Sequence, residues 1–312
     1  MEPGLSVYLE NALSVTSEAV KNLLAALIST VFIRKDTEKA ELEKLKIGKF
    51  DEVIDKLLND GKMTYLEFYK CRNLFSVAKL ADESLRLHSD NTANDAESSE
   101  SASRDTNVNF DFDWFMRFYD AVGNISNEEL QRLWAQVLSG EIQRPKTCSL
   151  RTLDIIRNLS VDEAHAFYNI CHYIVISGIS ACVLMFGFMD EKEGFKECMR
   201  YVDEKGLTYW DTIVPLLEAG LLTRDHDLAF YFEKGDVLEF HNTHMVCTVE
   251  SNSEDMVSVA EPAAFLTTSG MELFQIVNSS DGFDYDKGYA FLCVEQMRKE
   301  HPDLTFNVFD ID

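Results

Sequence analysis

Residues 125–168 read ISNEELQRLWAQVLSGEIQRPKTCSLRTLDIIRNLSVDEAHAFY, and the helix signals in this stretch organise the whole chain. Ser126 stands three residues before Glu129, the spacing at which a cap hydroxyl accepts a first-turn N–H while the acid reaches back to the cap. Leu130, Leu133, Trp134, Val137 and Leu138 then recur on one helical face. Gly140 is placed to end that helix in a left-handed conformation, and Pro145 forbids its continuation. Ser149 predicts a second cap, with Leu150, Leu153 and Ile156 on the inner face behind it. Ser160 with Glu163 repeats the capping box and opens a third helix carrying Ala164, Phe167, Tyr168, Cys171 and Val175. None of these short helices buries its apolar stripe alone, so they are expected to pack together.

The charge balance of the chain narrows its partners. Its 312 residues hold Lys+Arg 29 against Asp+Glu 54, a formal net charge of −25. Such a surface repels nucleic-acid phosphates and anionic lipid heads unless a local basic patch overrides it, so nucleic acid and membrane are not the expected partners. A protein partner or self-association is. The seven cysteines are odd in number, lack a CxxC pair and sit among apolar neighbours. That usage fits reduced, core-packed thiols and a cytoplasmic protein. The start, Met-Glu-Pro-Gly, lacks a basic n-region, so no secretory signal is expected.

The run Asp113-Trp114-Phe115, Ser126-Asn127-Glu128-Glu129, Leu133-Trp134, Leu138, Gly140-Glu141, Pro145, Ser149 through Leu153, and Asn158-Leu159-Ser160 with Glu163-Ala164 resembles the signature of an uncharacterised bacterial family, domain of unknown function 2806. A looser similarity reaches back to residues 70–85 and forward to 265–277. The family carries no activity to transfer. The helix–Pro loop–helix pattern is similar, more distantly, to abortive-infection alpha proteins of phage defence, an analogy of pattern only.

In chain order, residues 1–88 read as a helical region, with an apolar end at Leu23–Ile33 too short to span a bilayer, which needs about 20 residues. A long helix is predicted over Tyr65–Leu87. Residues 89–109, rich in Ser, Asp, Glu and Asn, read as a flexible acidic linker. Residues 110–190 form a central helical bundle, entered through the aromatics Phe110–Tyr119 and left through the apolar run from Tyr173, which reads as a helix end and a buried strand. Residues 191–312 form a winged-helix-like module: helices at 195–202 and 208–219, strands LAFYF and VLEFHNTHMVCTV around the Lys234-Gly235-Asp236 turn, and a strand and capped helix at 265–277. A helix over 285–300 and a strand over 304–311 close the chain. The expected fold class is mainly α with a small β component, an α+β chain.

Candidate chemistry is sparse. His241, His244 and Cys247 are ligand types, but on one strand only His241 and Cys247 share a face, and a metal site needs more. His165, Cys171 and His172 lack an acidic partner at matching spacing. The paired acids Glu128/Glu129 and Asp162/Glu163 sit in first helical turns, where they cap. No GxSxG, HExxH or P-loop is present, and no catalytic residue, metal or cofactor is expected. The exception to the acidic trend is Arg132, Arg144, Lys146, Arg151 and Arg157, with Glu141 and Asp154 the only acids between them. These five either pair with the surplus carboxylates of the acidic second domain or form a contact site for a phosphate, nucleic acid or acidic partner. The expected function is a non-catalytic interaction or sensing protein of bacteria, related to phage defence through the distant similarity. The alternatives are a winged-helix DNA-binding regulator and a membrane-active toxin acting through the N-terminal helix. The candidate recognition helix, Tyr209–Ala219, has Asp211 and Glu218 and no Lys or Arg, which disfavours DNA.

Overall fold

A computed structural model describes residues 58–61, 64–94, 112–177, 180–186, 188, 196–224, 228–241, 245–279 and 283–310. The expected N-terminal helix with its apolar end, and most of the expected linker, lie outside the described residues. Among the described residues no helix is long and apolar enough to cross a membrane. The chain is an α+β protein that divides into two compact units, residues 1–157 and 158–312. The division falls inside the expected central bundle. The third helix of the quoted stretch goes with the second unit because its inner face packs on elements of that unit.

In the first unit, α1 (Tyr65–Asn94), α2 (Phe112–Val122), α3 (Glu128–Gln143) and α4 (Leu150–Asn158) are the described helices. Helix α1 runs into the stretch expected to be linker, ending at Asn94 rather than Leu87. It packs along α3 and against α2. Trp134, wholly buried, meets the edge of Phe118 at 5.6 Å, and Phe118 stacks on Trp114 at 5.2 Å. Each such side chain contributes roughly 1.5–3 kcal/mol on burial. Asn73 of α1 donates to the Gly123 carbonyl (3.0 Å), and Gln131 of α3 donates to that of Ile125 (2.8 Å), so both helices hold the turn at 123–125.

Two details of the quoted stretch differ from expectation. The cap of α3 is Asn127, not Ser126: its side chain accepts from the N–H groups of Glu129 (2.9 Å) and Leu130 (3.1 Å). Gly140 does not end the helix. The Arg144 N–H still bonds the Gly140 carbonyl, so the ladder runs to Gln143 and Pro145 ends it. The positive φ falls on Lys146, at 72°. The other two caps form as expected, Ser149 accepting from the Thr152 N–H and Ser160 with Glu163 closing a reciprocal box.

The second unit is built on a seven-stranded antiparallel sheet. Its strands are β1 (Ile174–Ser177), β2 (Ser180–Leu184), β3 (Leu222–Thr223), β5 (Val237–His241), β6 (Met245–Ser251), β8 (Ala263–Leu266) and β9 (Leu304–Asp310), in the order β3-β8-β2-β1-β5-β6-β9. A second ladder pairs β4 (Leu228–Phe232) with β7 (Val257–Glu261). The hairpin expected around Lys234-Gly235-Asp236 therefore does not form: β4 pairs β7, and VLEFHNTHMVCTV is itself folded into the hairpin β5–β6. The Glu233–Asp236 turn is a corner that carries the chain from one ladder to the other.

Helix α5 (Val161–Cys171) buries Phe167, Ile170 and Cys171 among a π turn at Tyr209–Ile213, α7 (Val214–Glu218) and α8 (Thr268–Asn278). The π turn has a local cause. Pro215 cannot donate and its ring crowds the carbonyl four residues back, so the ladder widens and the Val214 N–H reaches the Tyr209 carbonyl. Helix α6 (Lys196–Glu204) packs on α9 (Lys287–Glu300), which also packs on β9. Where α8 begins, Thr267 caps it and donates to the Gly220 carbonyl (2.7 Å). A Cβ on Gly270 would stand 2.1 Å from the Leu221 carbonyl oxygen, so only glycine admits this crossing.

Candidate functional site

Each unit carries an arrangement of polar side chains that the fold fixes in place. In the first unit it is the loop between α3 and α4. The Glu141 carboxylate, only 5% exposed, accepts the Lys146 N–H (2.6 Å) and the Cys148 N–H (3.1 Å). Trp114 of α2 donates its indole N–H to the Cys148 carbonyl (2.8 Å), and the Thr147 hydroxyl donates to the Arg144 carbonyl. Pro145 followed by a positive-φ residue gives a tight turn, costly for a lysine and held by these bonds. The acids and aromatics of this segment thus do structural work, and Lys146 and Cys148 spend their N–H groups inward. Those two N–H groups are therefore spent and do not face a partner.

All five expected cations, Arg132, Arg144, Lys146, Arg151 and Arg157, are exposed. Within this unit, among the described residues, none of their side chains forms an ion pair or hydrogen bond. Asp154, one of the two acids nearby, is paired by Arg117 of α2. The structure does not gather all five. Arg144, Lys146 and Arg151 stand on the loop and the first turn of α4, whereas Arg132 lies 12 residues back along α3, ~18 Å by helical rise. Arg157 lies at the far end of α4.

In the second unit, a cleft of about 310 Å³ is lined by residues that include His172, Tyr173, Lys205, Asp284 and Asp286. Asp286 caps α9, accepting the Tyr289 N–H (3.0 Å). It also accepts the Tyr201 hydroxyl (2.7 Å) and lies 3.6 Å from the Lys205 ammonium. Burial pushes the Asp286 carboxyl up, but the Tyr289 N–H, the Tyr201 hydroxyl and Lys205 outweigh it and hold it below the usual range. Burial, then the bond to Asp286, pushes the Tyr201 phenol up to about 12. Tyr173 is raised mainly by burial as well. Gly288 makes room for this, since a Cβ there would lie 2.4 Å from the Tyr201 oxygen. His172 hydrogen-bonds the Asp284 carbonyl through Nδ1 and stacks on Phe283 at 4.7 Å.

Of the expected ligand-type residues, His165 and Cys171 do not converge. His165 is exposed on α5 while Cys171 is wholly buried, its thiol raised by burial. Cys247 is buried in β6, where burial pushes its thiol up to about 11. His244 lies outside the described residues. Sequence reasoning missed the Asp286–Tyr201–Lys205 group, which joins the C-terminal end of α6 to the start of α9. The one local signal was Asp286 at a cap position before an apolar run.

No curated protein and no solved structure matches the chain. A family model described as protein of unknown function (DUF2806) matches residues 90–288, which takes in the fixed loop, both boxes of the quoted stretch and most of the sheet. That match covers more than half of the sequence, and the chain belongs to the DUF2806 family.

Proposed function

We propose that the protein is a non-catalytic interaction protein that presents Arg144, Lys146 and Arg151 to an acidic partner. The observation carrying this reading is the Arg144–Cys148 loop. Its backbone is locked onto Glu141 and Trp114, while its cations stay exposed and make no ion pair among the described residues of their unit. Holding a lysine at φ 72° costs energy that a purely structural turn would avoid with glycine. On a chain of net charge −25 this patch is a local exception that a compact acidic group can meet, whereas an extended phosphate backbone also meets the surrounding negative surface. The distant likeness to abortive-infection proteins adds phage defence as the setting. Plating a phage panel on cells with the wild-type gene, the R144A/K146A/R151A gene or no gene tests both parts. Protection lost in the triple variant supports the reading, and equal titres on all three strains remove the defence role.

A second reading, small-ligand sensing, is supported by the cleft at Asp286, where polar groups converge on an open volume. The DNA-binding reading draws support from α6, α7 and the strand order β3-β8-β2, which suit a winged-helix-like core. It is opposed by the lack of any Lys or Arg in Tyr209–Ala219 and by Trp210, 74% exposed there, which suits a protein contact. A mobility shift at physiological salt decides between them; a discrete complex would favour the regulator.

A further inference from the structure

Strand β7 alternates Val257, Val259 and Glu261 toward the interior, so a carboxylate stands where the pattern calls for an apolar residue. Glu261 is 1% exposed. Its Oε1 lies 2.7 Å from Nε2 of His301, the cap that ends α9, and the residue before it, Glu300, completes the group. One ligand atom from each of Glu261, Glu300 and His301 lies within 4.8 Å of the others.

We propose that Glu261, Glu300 and His301 form a binding site for a first-row divalent cation. The donor set is two carboxylates and an imidazole, with no thiolate, which suits Mn(II), Co(II) or Zn(II) over soft ions. Two carboxylate charges balance a divalent ion beside a neutral imidazole. Metal–ligand bonds near 2.1 Å set ligand atoms about 3.4 Å apart in a tetrahedron, so the His301–Glu261 pair opens by several tenths of an ångström. The proton shared by Nε2 and Oε1 leaves to solvent or moves to Nδ1 as the ion enters. The outer contact is already present: Gln296, itself buried, donates to Glu300 Oε1 at 2.8 Å and orients that carboxylate.

The test uses the full chain, stripped with a chelator and titrated with CoCl2, followed by calorimetry and visible absorption. The result expected is one cobalt per chain, with weak ligand-field bands and no thiolate charge-transfer band. H301Q and E300Q, checked for native circular dichroism, should each bind at least about tenfold more weakly. E261Q is left aside because it buries an altered group and can fail to fold. Absence of stoichiometric binding to the wild type overturns the proposal. So does a thiolate band, which would place the ion on the cysteines, or wild-type affinity in either variant.

Discussion

Glu141 is the residue on which the Arg144–Cys148 loop rests. Its buried carboxylate takes two loop N–H groups, bonds of the charge-assisted kind. Replacing it with alanine should cost about 2–4 kcal/mol in urea unfolding, since two buried donors lose their acceptor. W114F should cost about 1 kcal/mol for the bond to Cys148 beyond its packing change. Unfolding midpoints equal to wild type for both would show the loop to be held by something else. Asp286 gives a pH prediction of definite sign. Its folded pKa is depressed, so the stability it supplies is present above the unfolded carboxyl value near 3.9 and is lost as pH falls through the lower folded value. D286N should therefore flatten the acid limb of the stability profile below about pH 4 and leave its shape near neutrality unchanged. The Tyr201 phenol runs the other way: its stabilisation is full below about pH 10 and is lost as pH rises through about 12.

At the scale of elements, the crossing of α8 over Leu221 is the tightest constraint. G270A should destabilise by about 1–3 kcal/mol, with Thr267 and Gly220 unable to hold their bond at the present separation. A variant as stable as wild type would mean that α8 can lift away. The helices were legible in sequence because their signals are local: Ser149 and Ser160 cap where their spacing says they should. Asn127 displaced Ser126 by one position, a choice between two good cap residues that spacing cannot make. Strand partners were not legible. LAFYF could pair with the next strand or a distant one, and pairing with β7 depends on Val257–Glu261 folding back across an inserted hairpin. The same non-local pairing hid both polar groups of the second unit. Glu261 and His301 are 40 residues apart, and Tyr201 and Asp286 are 85 apart, with the inward acid of Val-Ser-Val-Ala-Glu and the cap position of Asp286 as the local warnings.

For the whole molecule, two compact units and a net charge of −25 set the expected behaviour. E141A in the first unit and G270A in the second share no partner, so their costs should add within about 0.5 kcal/mol; a larger coupling would mean that the units do not unfold independently. Binding of an acidic partner at Arg144, Lys146 and Arg151 should weaken as salt rises, because these cations are exposed and screened. The central claim is that the fold holds these three cations in place without using them for its own stability. Urea unfolding of R144A/K146A/R151A tests that claim most directly. The predicted result is a stability within about 0.5 kcal/mol of wild type, as for exposed side chains without structural partners. A loss of about 2 kcal/mol or more would make the cations part of the scaffold and contradict the account.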